Sequence, residues 1–473
     1  MAQGPAEQLR ASATVTAEQP AGPPFRSRVA ASAALGVSLA TLAVLVFFAA
    51  HDALFVLISL VCSALAISML WIAATNRKFR WGAAGAAVIL VAGAIASLVA
   101  AGRGSIAIAL IVAGIAVASA LGTLALRWEV RQVLANRWHP APATRHGVVL
   151  VNPKSGDGKA AHVHLIDEAR RRGIKAVLLN QGDDLRMLAE AAVTGGADAL
   201  GMAGGDGSQG VVAAVASARG VPFVCIPAGT RNHFALDLGI DRHDPVRALD
   251  AFGPARETTI DLGEVNGEVF VNNVSLGLYA RIVASDSYRE AKRRTVAEML
   301  PELLGRGAQP FGLSVDGPDG PIEDARVIQI SNNAYTLSSL AGFGSRACLN
   351  GGVLGVATLS IKRAADVDRL VALEAAGHPE RYEGWRQWTV RRLVVEGPAS
   401  AATAVDGEAR TLQPPIRFAV RAGALRVRIA PDDRGASPAF LHAPVAVSTL
   451  VGLARVVRGR PSGIALDRTA GTT

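Results

Sequence analysis

Four long apolar segments without Asp, Glu, Lys or Arg lie near the start of the chain. Each is about as long as the roughly 20 residues that a helix needs to cross a bilayer. They are Val29–Ala50, Ala53–Ala74, Gly82–Ala101 and Ser105–Leu126. A signal peptide would be one such segment with a small-residue cleavage site after it. The pattern predicts four transmembrane helices, and the alternative is a buried helical core.

Basic residues are distributed unevenly around these segments. They lie before the first segment, between the second and third, and after the fourth: Arg10, Arg26, Arg28, Arg77, Lys78, Arg80, Arg127, Arg131 and Arg137. The other two connections carry only Arg103 and the pair His51–Asp52. Positive charge favours the cytoplasmic side of a membrane. We expect a multi-pass protein of the cell membrane, with both termini and everything after Leu126 in the cytoplasm.

The pattern changes after the Pro-containing segment "HPAPAT" at 139–144. Short apolar runs, "GVVLV", "KAVLL", "ADALGMA" and "PFVCIP", now alternate with helical patterns that include Asp184–Val193 and Val211–Ala218. Strands that alternate with helices predict a parallel sheet with right-handed crossovers. Beyond about Thr258 the pattern becomes strand–turn–strand, which predicts an antiparallel second domain.

These patterns divide the chain into six expected parts. They are a disordered tail over 1–28, four transmembrane helices over 29–126, a juxtamembrane linker over 127–145, an α/β domain over 146–258, an antiparallel domain over 259–431 and a C-terminal tail over 432–473.

Composition narrows the classes of partner. Half of the residues are hydrophobic (50%), 18% are charged, and the net charge is +9. A positive balance suits anionic lipid headgroups, whereas no nucleic-acid recognition motif accompanies it, so we expect no nucleic-acid partner. The three cysteines are isolated and fit no metal-binding spacing.

Three loops follow the carboxyl ends of predicted parallel strands, where open α/β sheets bind ligands. They are Asn152–Gly158, Gly204–Gly210 and Pro227–Asn232, and all are rich in small residues. Small residues let backbone N–H groups approach anionic oxygens, helped by the N-terminus of the next helix. Taken singly, each loop could be a plain turn. The P-loop and dinucleotide fingerprints are both absent.

Five motifs in order and spacing resemble the diacylglycerol/sphingosine kinase family of lipid kinases. They are "VNPKSGDGK", "GGDGS", "IPAGTRNHFALDLGI", "FVNNVSLG" and "VDGE". The resemblance covers roughly Gly147 to Pro431 and excludes the apolar segments. It implies an α/β nucleotide-binding domain, a β-sandwich domain with a lipid site, an active site in the cleft between them, and ATP and Mg²⁺ as cofactors.

The resemblance also implies roles for particular residues. The nucleotide-binding residues would be Asn152, Pro153, Ser155, Gly156, Gly204, Gly205, Asp206, Gly207, Ser208, Thr230 and Asn232. Asp406 would be the catalytic base and Glu408 its acidic neighbour, and we expect both to point the same way from an extended segment. Asp206 and Glu408 are the candidate metal ligands, with Asp206 facing the phosphates through Mg²⁺. The alternative for Asp206 is a turn former between glycines.

The chain departs from the family pattern in three places. Gln209, Gly210 and Val211 follow the glycine loop where the family has an apolar residue, Asn or His, and Glu. Arg231 and His233 replace the commoner Gly and Asp of the third loop. In "CLNGGVL", Gly351 falls where some bacterial members carry an Asp of a structural Mg²⁺ site, so that second metal site is in doubt.

The expected function is that of a membrane-anchored kinase that transfers the γ-phosphoryl of ATP to a lipid hydroxyl, with diacylglycerol favoured. The alternatives are another lipid alcohol (a sphingoid base, monoacylglycerol or a polyprenol), an enzyme resembling NAD kinase, and a catalytically silent nucleotide-responsive membrane protein. A homodimer is left open. The basic amphipathic segment Tyr288–Leu304 is either a helix packed on the sandwich or one that faces the membrane.

Overall fold

The protein is described by a computed structural model. It describes residues 23–49, 61–71, 80–99, 105–278, 280, 311–323, 325–336, 344–361, 366, 369–370, 373, 381–441 and 447–460. The chain divides into two compact units, Met1–Val133 with Pro444–Leu466 and Leu134–Ala443 with Asp467–Thr473. The predicted amphipathic segment Tyr288–Leu304 lies outside the described residues.

The first unit consists of apolar helices. They are α1 (Phe25–Ala49), α2 (Val61–Trp71), α3 (Arg80–Val99), α4 (Ser105–Arg137, of which residues 134–137 belong to the second unit) and a C-terminal helix, Val447–Val457. Alanines of α1 pack closely against Ala125 of α4 and against Leu453 and Val456 of the C-terminal helix. Ser27 donates a hydrogen bond to the Ala125 carbonyl oxygen at 2.6 Å. Small residues allow this close approach between helices.

Within the described residues, two of these helices are long and apolar enough to cross a membrane. They are α1 over Phe25–Val46 and α4 over Ala109–Leu126, with mean hydropathies of 2.2 and 2.3. The other two predicted segments contain the shorter apolar helices Val61–Trp71 and Trp81–Ala94. Helical structure therefore occurs in all four segments, and two of them meet the length and composition of a span.

The second unit alternates helices and strands and then continues as strands. The helices are α5 (Lys159–His162), α6 (Leu165–Arg171), α7 (Leu185–Thr194), α8 (Asp206–Arg219), α9 (His233–Leu238), α10 (Pro245–Ala248) and α11 (Pro438–Leu441). The strands are β1 (His139–Ala141), β2 (Gly147–Val151), β3 (Lys175–Leu178), β4 (Ala199–Gly204), β5 (Phe223–Pro227), β6 (Ala255–Val265), β7 (Glu268–Phe270), β8 (Asn273–Gly277), β9 (Ser314–Gly317), β10 (Gly320–Ile322), β11 (Val327–Asn332), β12 (Tyr335–Thr336), β13 (Ser345–Arg346), β14 (Leu354–Leu359), β15 (Trp385–Val390), β16 (Arg392–Glu396), β17 (Ala401–Val405), β18 (Glu408–Leu412) and β19 (Ile416–Ile429).

A mixed sheet forms the first layer of this unit. The strands β3, β2, β4 and β5 are parallel neighbours, as the sequence predicts. Both β2 and β4 are buried along their whole length, which is typical of strands covered by helices on both faces. The sheet then continues through β19, β16, β9 and β10, so that it combines parallel and antiparallel pairs.

A separate antiparallel sheet forms the second layer. Its order is β15, β14, β11, β8, β17 and β18. Buried side chains of both sheets, such as Phe270 and Phe418 of the mixed sheet and Leu276 and Val356 of the antiparallel sheet, share one hydrophobic core. The antiparallel strands that the sequence predicts after Thr258 are confirmed, and they belong to two sheets that pack face to face.

The long strand β19 joins the two halves of the mixed sheet. Its Phe418–Ile429 segment pairs antiparallel with β6, while Val427 and Arg428 on the other edge pair parallel with β5. The predicted domain boundary at 258/259 falls inside β6, and that boundary stays a prediction. The parallel strands and the later antiparallel strands are nevertheless hydrogen-bonded into one sheet.

The glycine loop is shorter than the sequence indicates. The predicted helix Val211–Ala218 begins at Asp206, with Gly205 as its N-cap in an extended conformation. Glycine disfavours a helix interior by about 1 kcal/mol relative to Ala, which is why the pattern predicts a loop up to Gly210. Tertiary packing overrides that preference, because Gly207 and Gly210 lie against the β17–β18 hairpin.

Candidate active site

The second predicted loop is an open helix N-terminus. The first intrahelical hydrogen bond of α8 runs from Gln209 N–H to the Gly205 carbonyl oxygen at 3.0 Å. The first turn of a helix leaves its N–H groups without intrahelical acceptors, and no side chain caps α8 at Gly205. The N–H groups of Asp206, Gly207 and Ser208 therefore form a concentration of donors suited to an anion.

The three predicted loops meet backbone to backbone. A Cβ atom on Gly156 would lie 2.5 Å from the Ala228 carbonyl oxygen, and one on Gly229 would lie 2.4 Å from Gly205 Cα. Gly205 also faces Ser155, whose Oγ would be 3.6 Å from an added Cβ. Only glycine at positions 156 and 229 permits the first two approaches, whereas the contact with Ser155 is an ordinary one. The structure therefore brings the first, second and third loops together at one edge of the sheet.

Asp206 ties the second loop to the third. Its Oδ2 accepts a hydrogen bond from His233 N–H at 3.1 Å, and its Oδ1 accepts one from Phe234 N–H at 3.2 Å. The carboxylate thus lies at the N-termini of both α8 and α9, where negative charge is stabilised by the helix dipoles. Asp206 is more than a turn former, because it positions the start of α9.

The two asparagines of the predicted nucleotide site shape their own loops. Asn152 Oδ1 accepts a hydrogen bond from Lys154 N–H at 3.0 Å. Asn232 is buried with φ 52°, and its side chain accepts from Gly229 N–H at 2.8 Å and donates to the Gly229 carbonyl oxygen at 2.7 Å. Thr230 is exposed, and Pro153 is partly buried. Contacts from Asn152 and Asn232 to a nucleotide stay predictions.

Lys159 is a link between loops that the sequence analysis missed. Its Nζ donates to the Pro227 carbonyl oxygen at 3.0 Å and to the Arg242 carbonyl oxygen at 2.7 Å. Burial lowers the pKa of the ammonium group, and nearby Asp241 opposes that shift. The final Lys of "NPKSGDGK" was the available signal, and its role here is to hold the first loop against the end of β5.

Asp406 lies in a tight hairpin turn. The prediction that Asp406 and Glu408 share an extended segment is wrong, because Asp406 and Gly407 have φ values of 48° and 87°. They are the two central residues between β17 and β18, with Val405 paired to Glu408. Positive φ at both positions is the type I′ geometry that favours Asp-Gly. A turn, not strand periodicity, sets the directions of the two carboxylates.

The Asp406 carboxylate is held by three backbone donors. Oδ2 accepts from Val271 N–H at 2.9 Å, and Oδ1 accepts from Asn272 N–H at 2.8 Å and Asn273 N–H at 3.1 Å. Burial nevertheless raises the pKa of Asp406 to about 7, because desolvation of the charged form outweighs these donors and nearby Asp206 adds repulsion. A carboxyl group of this kind can exchange a proton near neutral pH.

The glycine face of α8 lies directly against this carboxylate pair. A Cβ atom on Gly207 would lie 2.2 Å from Glu408 Oε1, and one on Gly210 would lie 3.0 Å from Asp406 Oδ2. A cavity of about 300 Å³ opens beside them and is lined by both glycines, both carboxylates and Arg410. The absence of side chains at Gly207 and Gly210 gives the carboxylates access to the first turn of α8.

Glu408 is held more loosely than Asp406. Its side chain is 58% exposed, and Arg410 Nη2 lies 4.0 Å from Oε2. The same arginine makes a shorter ion pair with Glu268, at 2.6 Å. Exposed pairs of this kind contribute little to stability. Glu408 can therefore change its rotamer when a ligand enters the cavity.

The loop with Gly351 is closed by internal hydrogen bonds. Gly351 N–H donates to Asn333 Oδ1 at 2.7 Å, and Gly352 N–H donates to Asp261 Oδ2 at 2.7 Å. The buried Asp261 also accepts from Asn333 Nδ2 at 3.0 Å and from Gly423 N–H at 2.8 Å. These donors offset part of the Asp261 charge, and the Arg137 guanidinium interacts with it as well.

The two candidate metal ligands, Asp206 and Glu408, lie at the first turn of α8. Among the residues that the structure describes, no cluster of three or more His, Cys, Asp or Glu side chains could hold a metal ion. Asp206 is the first residue of the open turn of α8, and Glu408 lies against Gly207, the second residue of that turn. This donor set fits a cation that takes its remaining ligands from phosphate oxygens and water, as Mg²⁺ does.

Comparison with known proteins gives the chain a family context. Residues 146–265 match the family model "Diacylglycerol kinase catalytic domain". The diacylglycerol kinase of Mycobacterium tuberculosis (strain ATCC 25618 / H37Rv) is 33% identical over 218 residues, which are 43% of this chain and 66% of that protein. A probable lipid kinase YegS-like protein of Pseudomonas fluorescens (strain Pf0-1) is 28% identical over 313 residues, which are 61% of this chain and 95% of that protein.

A solved structure also resembles the chain. A putative diacylglycerol kinase from Bacillus anthracis str. Sterne has 17% sequence identity and a TM-score of 0.48, over 62% of this chain and 99% of that one. The chain covers slightly less than two thirds of the length of the Mycobacterium tuberculosis diacylglycerol kinase. The sequence similarities support a lipid kinase.

Proposed function

We propose that this chain, whose residues 146–265 form a domain of the diacylglycerol kinase catalytic type, is an ATP-dependent lipid kinase that phosphorylates a lipid hydroxyl. The observation that carries the proposal is the position of Asp406. Its carboxyl group, with a pKa of about 7, borders a cavity beside the open N-terminus of α8. A proton acceptor and an anion-binding turn are thereby adjacent, as phosphoryl transfer to an alcohol requires.

The three converging loops would hold the triphosphate of ATP. The N–H groups of the first turn of α8 supply donors for phosphate oxygens, and the glycines at 156 and 229 let the three loops come close to one another. Asp206 and Glu408 would hold Mg²⁺, which neutralises the phosphate charge.

Asp406 would act as the general base. The lipid hydroxyl enters the cavity, its oxygen attacks the γ-phosphorus, and its proton passes to an Asp406 oxygen while ADP leaves. Three backbone N–H donors hold the carboxylate in one orientation. A base with a pKa close to the working pH is well matched to this task.

Diacylglycerol is the acceptor that we favour, with phosphatidic acid as the product. The names of relatives support this choice, since those of Mycobacterium tuberculosis and Bacillus subtilis are diacylglycerol kinases and that of Pseudomonas fluorescens is a probable lipid kinase. Sphingoid bases, monoacylglycerol and polyprenols share the same reacting group.

Anchoring by four membrane helices belongs to the same proposal. The helices α1 and α4 have the length and apolar character of spans, and the basic residues around the four segments favour a cytoplasmic kinase domain. A reporter fused after Thr473 should be active in the cytoplasm. A reporter that is active only outside the membrane would contradict this topology.

An assay with labelled ATP tests the function. The purified full chain is incubated with γ-labelled ATP, Mg²⁺ and mixed micelles that contain diacylglycerol, sphingosine, monoacylglycerol or a polyprenol, with NAD as a parallel soluble acceptor. Label should move to a lipid, most efficiently to diacylglycerol. Transfer to NAD alone would favour the enzyme resembling NAD kinase, and nucleotide binding with no transfer would favour the catalytically silent protein.

The variant Asp406→Asn tests the base. Loss of a general base typically costs about 10²–10⁴ in rate, so kcat should fall by that order while KM for ATP changes little. The amide NH₂ would also face a backbone N–H of residues 271–273, so a lower thermal stability is expected as well. Activity must therefore be compared at temperatures where both proteins are folded.

Asp198→Asn is the matched control. The Asp198 carboxylate accepts hydrogen bonds from the backbone N–H groups of Arg145 and His146, just before β2. This position is at the amino-terminal ends of the parallel strands, whereas the three loops follow their carboxyl ends. The Asp198→Asn variant should lose stability and keep its kcat. Turnover of folded Asp406→Asn within a few-fold of the unmutated enzyme would remove Asp406 as the base.

A further inference from the structure

Arg346 is a fully buried arginine in β13, with 0% of its surface exposed. Its Nε donates to Asp237 Oδ2 at 2.7 Å, and its backbone N–H donates to Asp237 Oδ1 at 3.0 Å. Asp237 is itself buried and lies in the last turn of α9. The two residues are 109 positions apart, so the sequence alone gave no sign of the pair.

The other side of the guanidinium group holds backbone near Asp406. Arg346 Nη1 donates to the Val271 carbonyl oxygen at 2.6 Å and to the Asn332 carbonyl oxygen at 2.8 Å, and Nη2 donates to Asn272 Oδ1 at 2.8 Å. The planar group also lies 5.2 Å from the centre of the Tyr335 ring. The hydrogen bonds of the guanidinium group thereby point in several fixed directions, which a lysine ammonium group could not reproduce.

Both elements that Arg346 contacts hold a carboxylate of the candidate site. The first residues of α9, His233 and Phe234, donate their N–H groups to Asp206. The segment Val271–Asn273 donates its N–H groups to Asp406. Arg346 is therefore separated from Asp206 by one short helix and from Asp406 by one backbone segment.

We propose that Arg346, paired with Asp237, is a positioning residue that fixes the spacing between Asp206 and Asp406. The inference rests on the proposed function of those two carboxylates. In-line transfer needs the proton acceptor and the phosphate-binding turn at a set separation, and a misplacement of about 1 Å can cost about 10²-fold in rate. The hydrogen bonds of the buried guanidinium group have fixed directions, and they tie both segments to one rigid group.

The test compares Arg346→Lys with Arg428→Lys. Arg428 is also a buried arginine (3% exposed) that donates to backbone carbonyl oxygens, those of Pro142 and Gly253, which are outside the candidate site. Both variants should lose stability. Arg346→Lys should also lose about 10²-fold in kcat, with KM for ATP within a few-fold, whereas Arg428→Lys should keep kcat at equal folded fraction.

Amide hydrogen exchange measures the coupling without any assay of activity. In Arg346→Lys, peptides that cover 229–238 and 268–276 should both exchange faster, since both lose the shared anchor. In Arg428→Lys neither peptide should change. If Arg346→Lys does not fold, Asp237→Asn, which keeps the shape and removes the charge, should show the same paired increase.

Two results would overturn the inference. One is a kcat loss in Arg346→Lys no larger than that in Arg428→Lys, and the other is faster exchange in only one of the two segments. If the unmutated protein phosphorylates no acceptor, the proposed function fails, and the exchange comparison still decides whether Arg346 couples the two segments.

Discussion

Two glycine pairs, Gly204–Gly205 and Gly351–Gly352, lie in loops whose backbone N–H groups have different partners. After Gly205 the chain enters α8, and the N–H groups of its first turn have no intrahelical acceptors and no capping side chain. The N–H groups of Gly351 and Gly352 instead donate to Asn333 and to the buried Asp261. The loop with Gly204 and Gly205 is open to an external anion, and we call it the open loop. The loop with Gly351 and Gly352 is closed by oxygen atoms of the protein itself, and we call it the closed loop.

The contrast shows what a glycine cluster does and does not predict. Glycine predicts that backbone can come close to something. Whether that partner is a ligand depends on acceptors that arrive from distant strands, such as Asp261 in β6 and Asn333 after β11. The open loop should therefore respond to mutation through activity, and the closed loop through stability.

The largest expected effect is at the open loop, in Asp206→Asn. The variant keeps one acceptor for the α9 N–H groups and removes the charge that would hold Mg²⁺. We expect KM for ATP to rise and kcat to fall, with a combined loss of about 10²–10³ or more, which is typical for removal of one preorganised electrostatic group. Steady-state kinetics with varied ATP checks this result, and near-normal KM and kcat would show that Asp206 has a structural role alone.

Gly210→Ala should have the next largest effect. The added Cβ would lie 3.0 Å from Asp406 Oδ2, and three backbone donors prevent that carboxylate from moving away freely. We expect kcat to fall by about tenfold or more, since small displacements of reacting groups are costly.

Gly207→Ala is its matched control. There the added Cβ meets Glu408, a proposed Mg²⁺ ligand whose exposed side chain can rotate away. The Mg²⁺ concentration needed for activity should therefore rise, while kcat at saturating Mg²⁺ should fall less than in Gly210→Ala. Alanine favours a helix by up to about 1 kcal/mol over glycine, so neither variant should unfold the protein. An equal kcat for Gly210→Ala and the unmutated enzyme would contradict the close approach of α8 to Asp406.

The closed loop should respond through stability in Asp261→Asn. The amide group would turn a donor toward one of the three N–H groups that Asp261 now accepts. An unsatisfied buried polar group costs about 1–3 kcal/mol, and the free energy of unfolding should fall by that amount. Chemical denaturation checks the loss, and an unchanged midpoint would mean that the loop is not held by this carboxylate.

The smallest effect is expected from Mg²⁺ without ATP. Because Gly351 supplies no carboxylate, we expect only weak binding at this loop. A site with Kd near the Mg²⁺ concentration stabilises by about 0.4 kcal/mol, so Tm should rise by about 1 °C or less. Gly351→Asp is the matched variant and should show a larger rise. A large rise in the unmutated protein would contradict the closed-loop interpretation.

Local sequence was sufficient for the parallel strands and for the positions of the three loops, although the second loop is shorter than predicted. The strand Gly147–Val151 was predicted with its observed bounds, because a fully buried strand has a continuous apolar run. The hairpin at Asp406–Gly407 was missed although Asp-Gly between strand residues is a strong local signal for it. The start of α8 was missed because two of its first five residues are glycines that tertiary packing accommodates.

Long-range partners were beyond local reasoning. Nothing near Arg346 in the sequence indicates Asp237, and nothing near Asp206 indicates that its carboxylate would hold His233 and Phe234. The joining of β5 to β19 is equally nonlocal. These contacts connect segments whose proximity exists only after the sheets have formed.

The place of β19 in the sheet has a consequence for biosynthesis. The ribosome synthesises this strand long after β5 and β6. The edges of β5 and β6 that pair with β19 therefore stay unpaired until the residues between Val265 and Ile416 have been synthesised. A nascent chain that ends before β19 carries strands with unpaired edges, which are templates for aggregation. Ribosome-bound chains that stop before Ile416 should therefore bind chaperones, and release from them should coincide with emergence of Ile429.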